Sequence, residues 1–108
     1  MPHDPHYARK AIGDIAPRLA ELTDEVLFAD VWARPELSPR ERSIATVAAL
    51  TALNRVEHLP FHLRRARDNG IGDAELAELM THLAFYAGWP CAFSAVNILR
   101  QVRAEHVA

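Results

Sequence analysis

Over most of the chain apolar residues recur every three or four positions, but between 44 and 53 charge disappears altogether. Ala, Thr, Val, Ile and Leu occupy every face of that stretch, so a helix there has no solvent side. A helix that is apolar all round is buried all round. Its start is readable: Ser38 and Glu41 fit a capping box, and Pro39 falls at the first helical position, where a missing N–H costs nothing. The pattern predicts a helix over 39–53 that ends at Asn54 and Arg55 and delivers the chain to two histidines, His58 and His62. A buried helix leading into paired histidines reads as the floor of a site that the rest of the chain wraps.

The remaining elements follow from the same periodicity. Residues 1–10 read as an N-terminal arm, loose over its first six residues and turning helical near Tyr7, ahead of one domain over 11–108. Pro17 interrupts, and 17–33 carries Leu19, Leu22, Val26 and Ala29 as an inner stripe that Leu27, Phe28, Val31 and Trp32 broaden near its end, with Asp24, Glu25 and Asp30 as polar interruptions. Arg34 before Pro35 closes it. A shorter helix over about 57–68 carries both histidines with Arg64, Arg65 and Arg67, and Pro60 confines its start to 57–59. Asn69 and Gly70 stop it. Gly72 or Asp73 caps a helix running to about Ala87, with Leu76, Leu79, Met80, Leu83 and Ala87 inward. Gly88, Trp89 and Pro90 break that helix, and the last begins at Pro90 with Ala92, Ala95, Val96, Leu99 and Val102 inward. No stretch alternates like a strand. The expected fold is all-α, with five or six helices.

Composition changes this picture in two places. A chain of 108 residues is small for enclosing one helix on every side, so cover from further copies, a homo-oligomer, is expected. Twelve Lys and Arg against fourteen Asp and Glu leave no basic excess, and nucleic acid is not an expected partner. No apolar run reaches membrane-spanning length, the first residues lack a secretory core, and Cys91 is alone, so a cytoplasmic protein without an internal disulfide is expected.

His58 and His62 stand four apart, the spacing of a zinc pair, but no neighbouring residue completes a ligand set, and no metal is expected. Acid–base work suits a histidine, whose ordinary pKa is near neutrality, with packing as the plainer reading. His82 follows Glu78 by four and heads HLAFYAGWP, where Tyr86 and Trp89 suit the walls of a pocket as well as a core. Arg42 suits a substrate carboxylate or a neighbouring acid. Cys91, in a helical first turn, reads as a small packing residue or a reactive thiol.

The segments LSPRERSIATVAALTALN, FHLRRARDNG and HLAFYAGWP carry Arg42 with Ser43, His62, Asn69 with Gly70, His82, and Tyr86, Ala87 and Gly88 with Pro90. In this order and spacing, over residues 11–104, the chain resembles the carboxymuconolactone decarboxylase family, a branch of the alkylhydroperoxidase D-like superfamily. The resemblance implies an all-helical protomer assembling as a trimer or hexamer, with a pocket near His62, often close to a subunit interface. The superfamily's redox branch has a C-x-x-C and a histidine four residues on. That histidine matches His62, while the cysteine positions fall on Arg55 and His58, and the branch's acidic residue falls on Ser43. Disulfide-based peroxidase chemistry is therefore not implied. The implied activity is cofactor-independent decarboxylation of a carboxylated unsaturated lactone of the 4-carboxymuconolactone kind, in aromatic-compound catabolism. His62 would deliver the proton with His82 or Tyr86 assisting, and Arg42, His58 and Trp89 would bind the substrate. The alternatives are a thiol redox enzyme using Cys91 with an external thiol, and a helical oligomer that binds a small acid without turning it over.

Overall fold

Pro39 opens the third of six α-helices in a computed structural model that describes residues 3–107; Met1 and Pro2 of the expected arm and the terminal Ala108 lie outside the described residues. Among the described residues there is no strand, and the fold is all-α. The chain divides after Pro39 into two compact units.

In the N-terminal unit, α1 (Tyr7–Ile12) starts where the sequence predicts. It stops at Gly13, where any Cβ would lie 2.4 Å from the Arg9 carbonyl oxygen. Pro17 opens α2 (Pro17–Glu21), which continues as a π-helical turn (Leu22–Phe28) and, after two residues, a 3-10 turn (Val31–Ala33). Arg34 is extended ahead of Pro35, as its position requires. The expected apolar face is corrected in part here: Leu19, Leu22, Val26, Leu27 and Ala29 are exposed, Trp32 is buried as expected, and Ala20 and Asp24 are buried as well. The reason is a hydrogen-bond demand that periodicity does not register. The first N–H groups of a helix have no partner within it, and His6 supplies no side-chain cap to α1. The Asp24 carboxylate does so from the following segment, accepting from the Ala8 N–H at 2.8 Å and the Arg9 N–H at 3.0 Å. Burial pushes this carboxyl up, but the two N–H bonds and the nearby His3 and Arg9 charges outweigh it and hold it below its ordinary range.

The C-terminal unit holds α3 (Pro39–Ala52), α4 (Leu59–Asp68), α5 (Asp73–Ala87) and α6 (Trp89–Val107). Helix α3 is not buried all round within the protomer, and the full burial expected of it would need the cover expected from further copies. Ser43, Val47 and Thr51 are buried, four residues apart, while Ala45, Ala49, Ala52 and Leu53 are exposed. Lack of charge marked an apolar surface, and the protomer has too few other residues to cover it. Asn54 takes a left-handed φ of 57° after α3, a conformation Asn tolerates better than most residues, and the Arg55 N–H returns to the Leu50 carbonyl at 2.8 Å. Gly70 (φ 91°) and Gly88 (φ 104°) make the corresponding turns after α4 and α5. The core joins Val47 of α3, Leu59, Leu63 and Ala66 of α4, Ile71, Leu76 and Met80, and Ala95, Leu99 and Val102 of α6. Val96, expected inward, is 37% exposed and stands at the edge of the inner face of α6.

Two polar ties fix the α4–α5 connection. The Asn69 side-chain amide donates to Ser43 Oγ at 2.9 Å, and Ser43 is completely buried. Arg67 donates to Asp73 Oδ1 through Nε at 2.9 Å and to the Val102 carbonyl through Nη1 at 3.1 Å. One guanidinium thus binds α4 to the first residue of α5 and to α6.

Candidate functional site

The start of α3, the α4–α5 connection and the outer face of α5 enclose a concavity of about 410 Å³. Ile44, Ile71 and Leu79 form its apolar part, and Arg40, Glu75, Glu78 and His82 its polar part. Glu75 is held twice. It accepts from the Gly72 N–H at 3.1 Å, which caps α5, and it is bonded to the Arg40 guanidinium. The Gly72 bond first, and then Arg40, keep its carboxyl below the ordinary range. An ionised carboxylate only accepts hydrogen bonds, so Glu75 orients Arg40 and does not donate a proton. His82 is exposed at the rim, one helical turn from Tyr86, and the two ring centres are 4.9 Å apart. The structure therefore brings together two of the sequence-predicted groups that handle protons.

The other predicted residues lie elsewhere. His62 is half-buried on α4, its ring edge-on to Phe61 at 4.9 Å, and its Nδ1 is shielded from solvent. His58 is exposed and stands just before the first residue of α4, with Nε2 3.8 Å from Glu57. Among the described residues no group of three or more His, Cys, Asp or Glu side chains is placed to hold a metal ion. Arg42 is half-buried, and its main-chain carbonyl accepts from the Thr46 hydroxyl at 2.8 Å. None of His58, His62, Arg42 and Tyr86 lines the His82 concavity. Cys91, in the first turn of α6, has its thiol 3.9 Å from the Ala52 carbonyl oxygen.

Trp89 lines a second concavity, of about 430 Å³, between α5 and α6, with Met80, Phe85, Phe93, Asn97 and Arg100 among its walls. Phe85 and Trp89 meet edge to face at 5.0 Å. Sequence reasoning passed over Arg40, whose partner Glu75 is 35 residues away and carries no local signal. It also passed over the outer face of α6, although Trp89, Phe93, Asn97 and Arg100 recur every three or four residues.

Similarity to known proteins bears on these placements. A sequence model of the carboxymuconolactone decarboxylase family matches residues 17–101. The chain is 40% identical over 75 residues to a 4-carboxymuconolactone decarboxylase of Acinetobacter baylyi, which covers 69% of this chain and 56% of that protein. It is 31% identical over 81 residues to the nitrosuccinic acid decarboxylase npaB of Metarhizium robertsii, covering 75% of this chain and 57% of that protein. The chain thus spans a little over half the length of these curated relatives. With the family's pattern running from the start of α2 into α6 and leaving out only α1 and the end of α6, the all-helical protein belongs to the carboxymuconolactone decarboxylase family.

Proposed function

We propose that the protein is a carboxy-lyase that removes CO2 from a carboxylated unsaturated lactone, or a similarly activated acid, with no metal or organic cofactor. The observation that carries this reading is that the family's pattern covers residues 17–101 and that two relatives matching most of this chain are both named decarboxylases. The names of their substrates pair a carboxylate with an electron-withdrawing group, a lactone in one and a nitro group in the other. That pairing suits decarboxylation without a cofactor. Electrons from the breaking C–C bond flow into the substrate's own acceptor, and the protein has to hold the anion, stabilise the developing oxyanion and return a proton to carbon.

We assign proton delivery to His62, with His82 or Tyr86 assisting, and binding of a carboxylate or oxyanion to Arg42, with His58 and Trp89 contacting the substrate. The contact between the His82 and Tyr86 rings supports the assisting role, and Ile44, Ile71 and Leu79 offer an apolar wall beside His82. The reading includes a cytoplasmic enzyme of aromatic-compound catabolism that acts as a homo-oligomer, a trimer or hexamer. The exposed apolar face of α3 supports the oligomer.

The test is CO2 release from a panel of lactone acids, followed by His62→Gln. The substitution keeps volume and hydrogen bonding but not the proton, and removing a positioned acid or base typically costs about 10²–10⁴-fold in rate. Release at close to the parental rate by His62→Gln would remove His62 from the chemistry, and no release from any acid in the panel would overturn the decarboxylase reading.

A further inference from the structure

The two concavities differ in charge. The one beside His82 contains two glutamates, one arginine and one histidine, so it repels an added anion as much as it attracts one. The one between α5 and α6 contains no acid at all, and its only charged residue is Arg100. Arg100 is exposed and takes part in no ion pair or side-chain hydrogen bond among the described residues. Asn97, three residues earlier on α6, stands on the same face with a second donor. Apart from Thr81, whose hydroxyl donates to the Ala77 carbonyl, the rest of the wall is aromatic and apolar: Phe85, Trp89 and Phe93 rise at the sides, and Met80 and Ala84 are buried beneath. Phe85 is 72% exposed and Phe93 63%, an unusual state for such side chains in a helical protomer. The volume, about 430 Å³, lies in the range of small-molecule sites.

We propose that this concavity binds an aromatic monocarboxylate, its ring against Phe85, Trp89 and Phe93 and its carboxylate on Arg100. The guanidinium fork matches a carboxylate with two N–H groups, and the Asn97 amide supplies a further donor. A dianion finds no second cation in the walls, and a cation meets Arg100, so one negative charge on a flat apolar body is the complement. The site shares Trp89 with the proposed reaction, but neither His62 nor His82 lines it, so binding of the ligand rather than CO2 release is its readout.

Trp89 reports on the site directly. The chain has two tryptophans, and Trp32→Phe leaves Trp89 as the sole emitter. In that background benzoate should change the emission saturably, and benzamide, the neutral analogue, should bind about tenfold more weakly or worse. Arg100→Gln should weaken benzoate by at least about tenfold and leave benzamide nearly unchanged. Phe93→Ala should weaken both probes, and circular dichroism would establish that each variant is folded. Equal binding of benzoate and benzamide, or an unaltered benzoate affinity in Arg100→Gln, would overturn the assignment. No saturable response to benzoate up to about 10 mM would also overturn it. So would shielding of Trp89 from acrylamide without ligand, since a second copy would then occupy the face.

Discussion

Replacing Arg67 with alanine tests how the α4–α5 connection is held. The side chain is largely buried, and its Nε and Nη2 lie 2.9 and 2.8 Å from one Asp73 oxygen while Nη1 reaches the Val102 carbonyl at 3.1 Å. Hydrogen bonds to charged groups contribute about 1.5–3 kcal/mol each when well formed. The Asp73 side chain is 38% exposed, so water recovers part of that loss. The Val102 carbonyl lies within α6, which moderates the loss there. The expected cost is about 1.5–3 kcal/mol in all, which for a domain of this size lowers Tm by roughly 6–12 °C. Arg67→Lys keeps the charge but not the fork, and cannot satisfy Asp73 and Val102 together, so it should lose about half as much. Thermal unfolding at one fixed protein concentration measures both variants, since an oligomer's Tm depends on concentration. A cycle with Asp73→Ala isolates the pair and should give a coupling of about 1 kcal/mol. If Arg67→Ala fell within about 0.5 kcal/mol of the parent, or if the two substitutions were simply additive, the guanidinium would not be holding these elements together.

Asp24 gives an acid-sensitive N-terminal unit. Its carboxyl sits below the ordinary value of 3.8, so its contribution to stability is fully present above that value and is lost as pH falls through the lower folded one. Hydrogen exchange at the Ala8 and Arg9 amides should speed up over that window, and Asp24→Asn should remove most of this pH dependence; an unchanged profile would contradict the capping role. Cys91→Ser should leave Tm and CO2 release nearly unaltered, whereas a large loss of activity in a folded variant would favour thiol chemistry. Light scattering at micromolar concentration should return a multiple of the 12.1 kDa protomer mass, and a value near 12.1 kDa would remove the oligomer from the proposal.

The helix boundaries from 39 onward were legible because local chemistry sets them. Pro39, Pro60 and Pro90 can stand only in first turns, and Asn54, Gly70 and Gly88 take the positive φ angles that follow α3, α4 and α5. The inner faces of α5 and α6 were legible for a similar reason: Leu76, Met80, Ala95, Leu99 and Val102 follow the helical period into one core. Asp24 was not legible, because its burial answers the unpaired N–H groups of a helix 15 and 16 residues away and overrides the apolar stripe around it. The exposed side of α3 was legible from chain length rather than from periodicity, which records which residues tolerate burial and not how much chain is present to bury them. In the candidate site the proximity of His82 and Tyr86 follows from a four-residue spacing, while the pairing of Arg40 with Glu75 depends on the tertiary fold.

The Ser43 hydroxyl has a consequence for how the two branches of the superfamily can interconvert. By the resemblance, Ser43 falls where the redox branch has its acidic residue, and here it is completely enclosed and accepts a hydrogen bond from the Asn69 amide. A glutamate introduced at 43 would bring two further methylenes and a carboxyl into a space that a hydroxymethyl group fills. In so enclosed a place, with the neutral Asn69 amide beside it, burial would favour the protonated form of the carboxyl. It would then be poorly suited to drawing a proton from a neighbouring group. Restoring cysteines at 55 and 58 would therefore not restore a working redox centre, even with the acid returned to its place. The packing around Asn69 would have to open first, so the route between the two chemistries runs through a structural residue before it reaches a catalytic one.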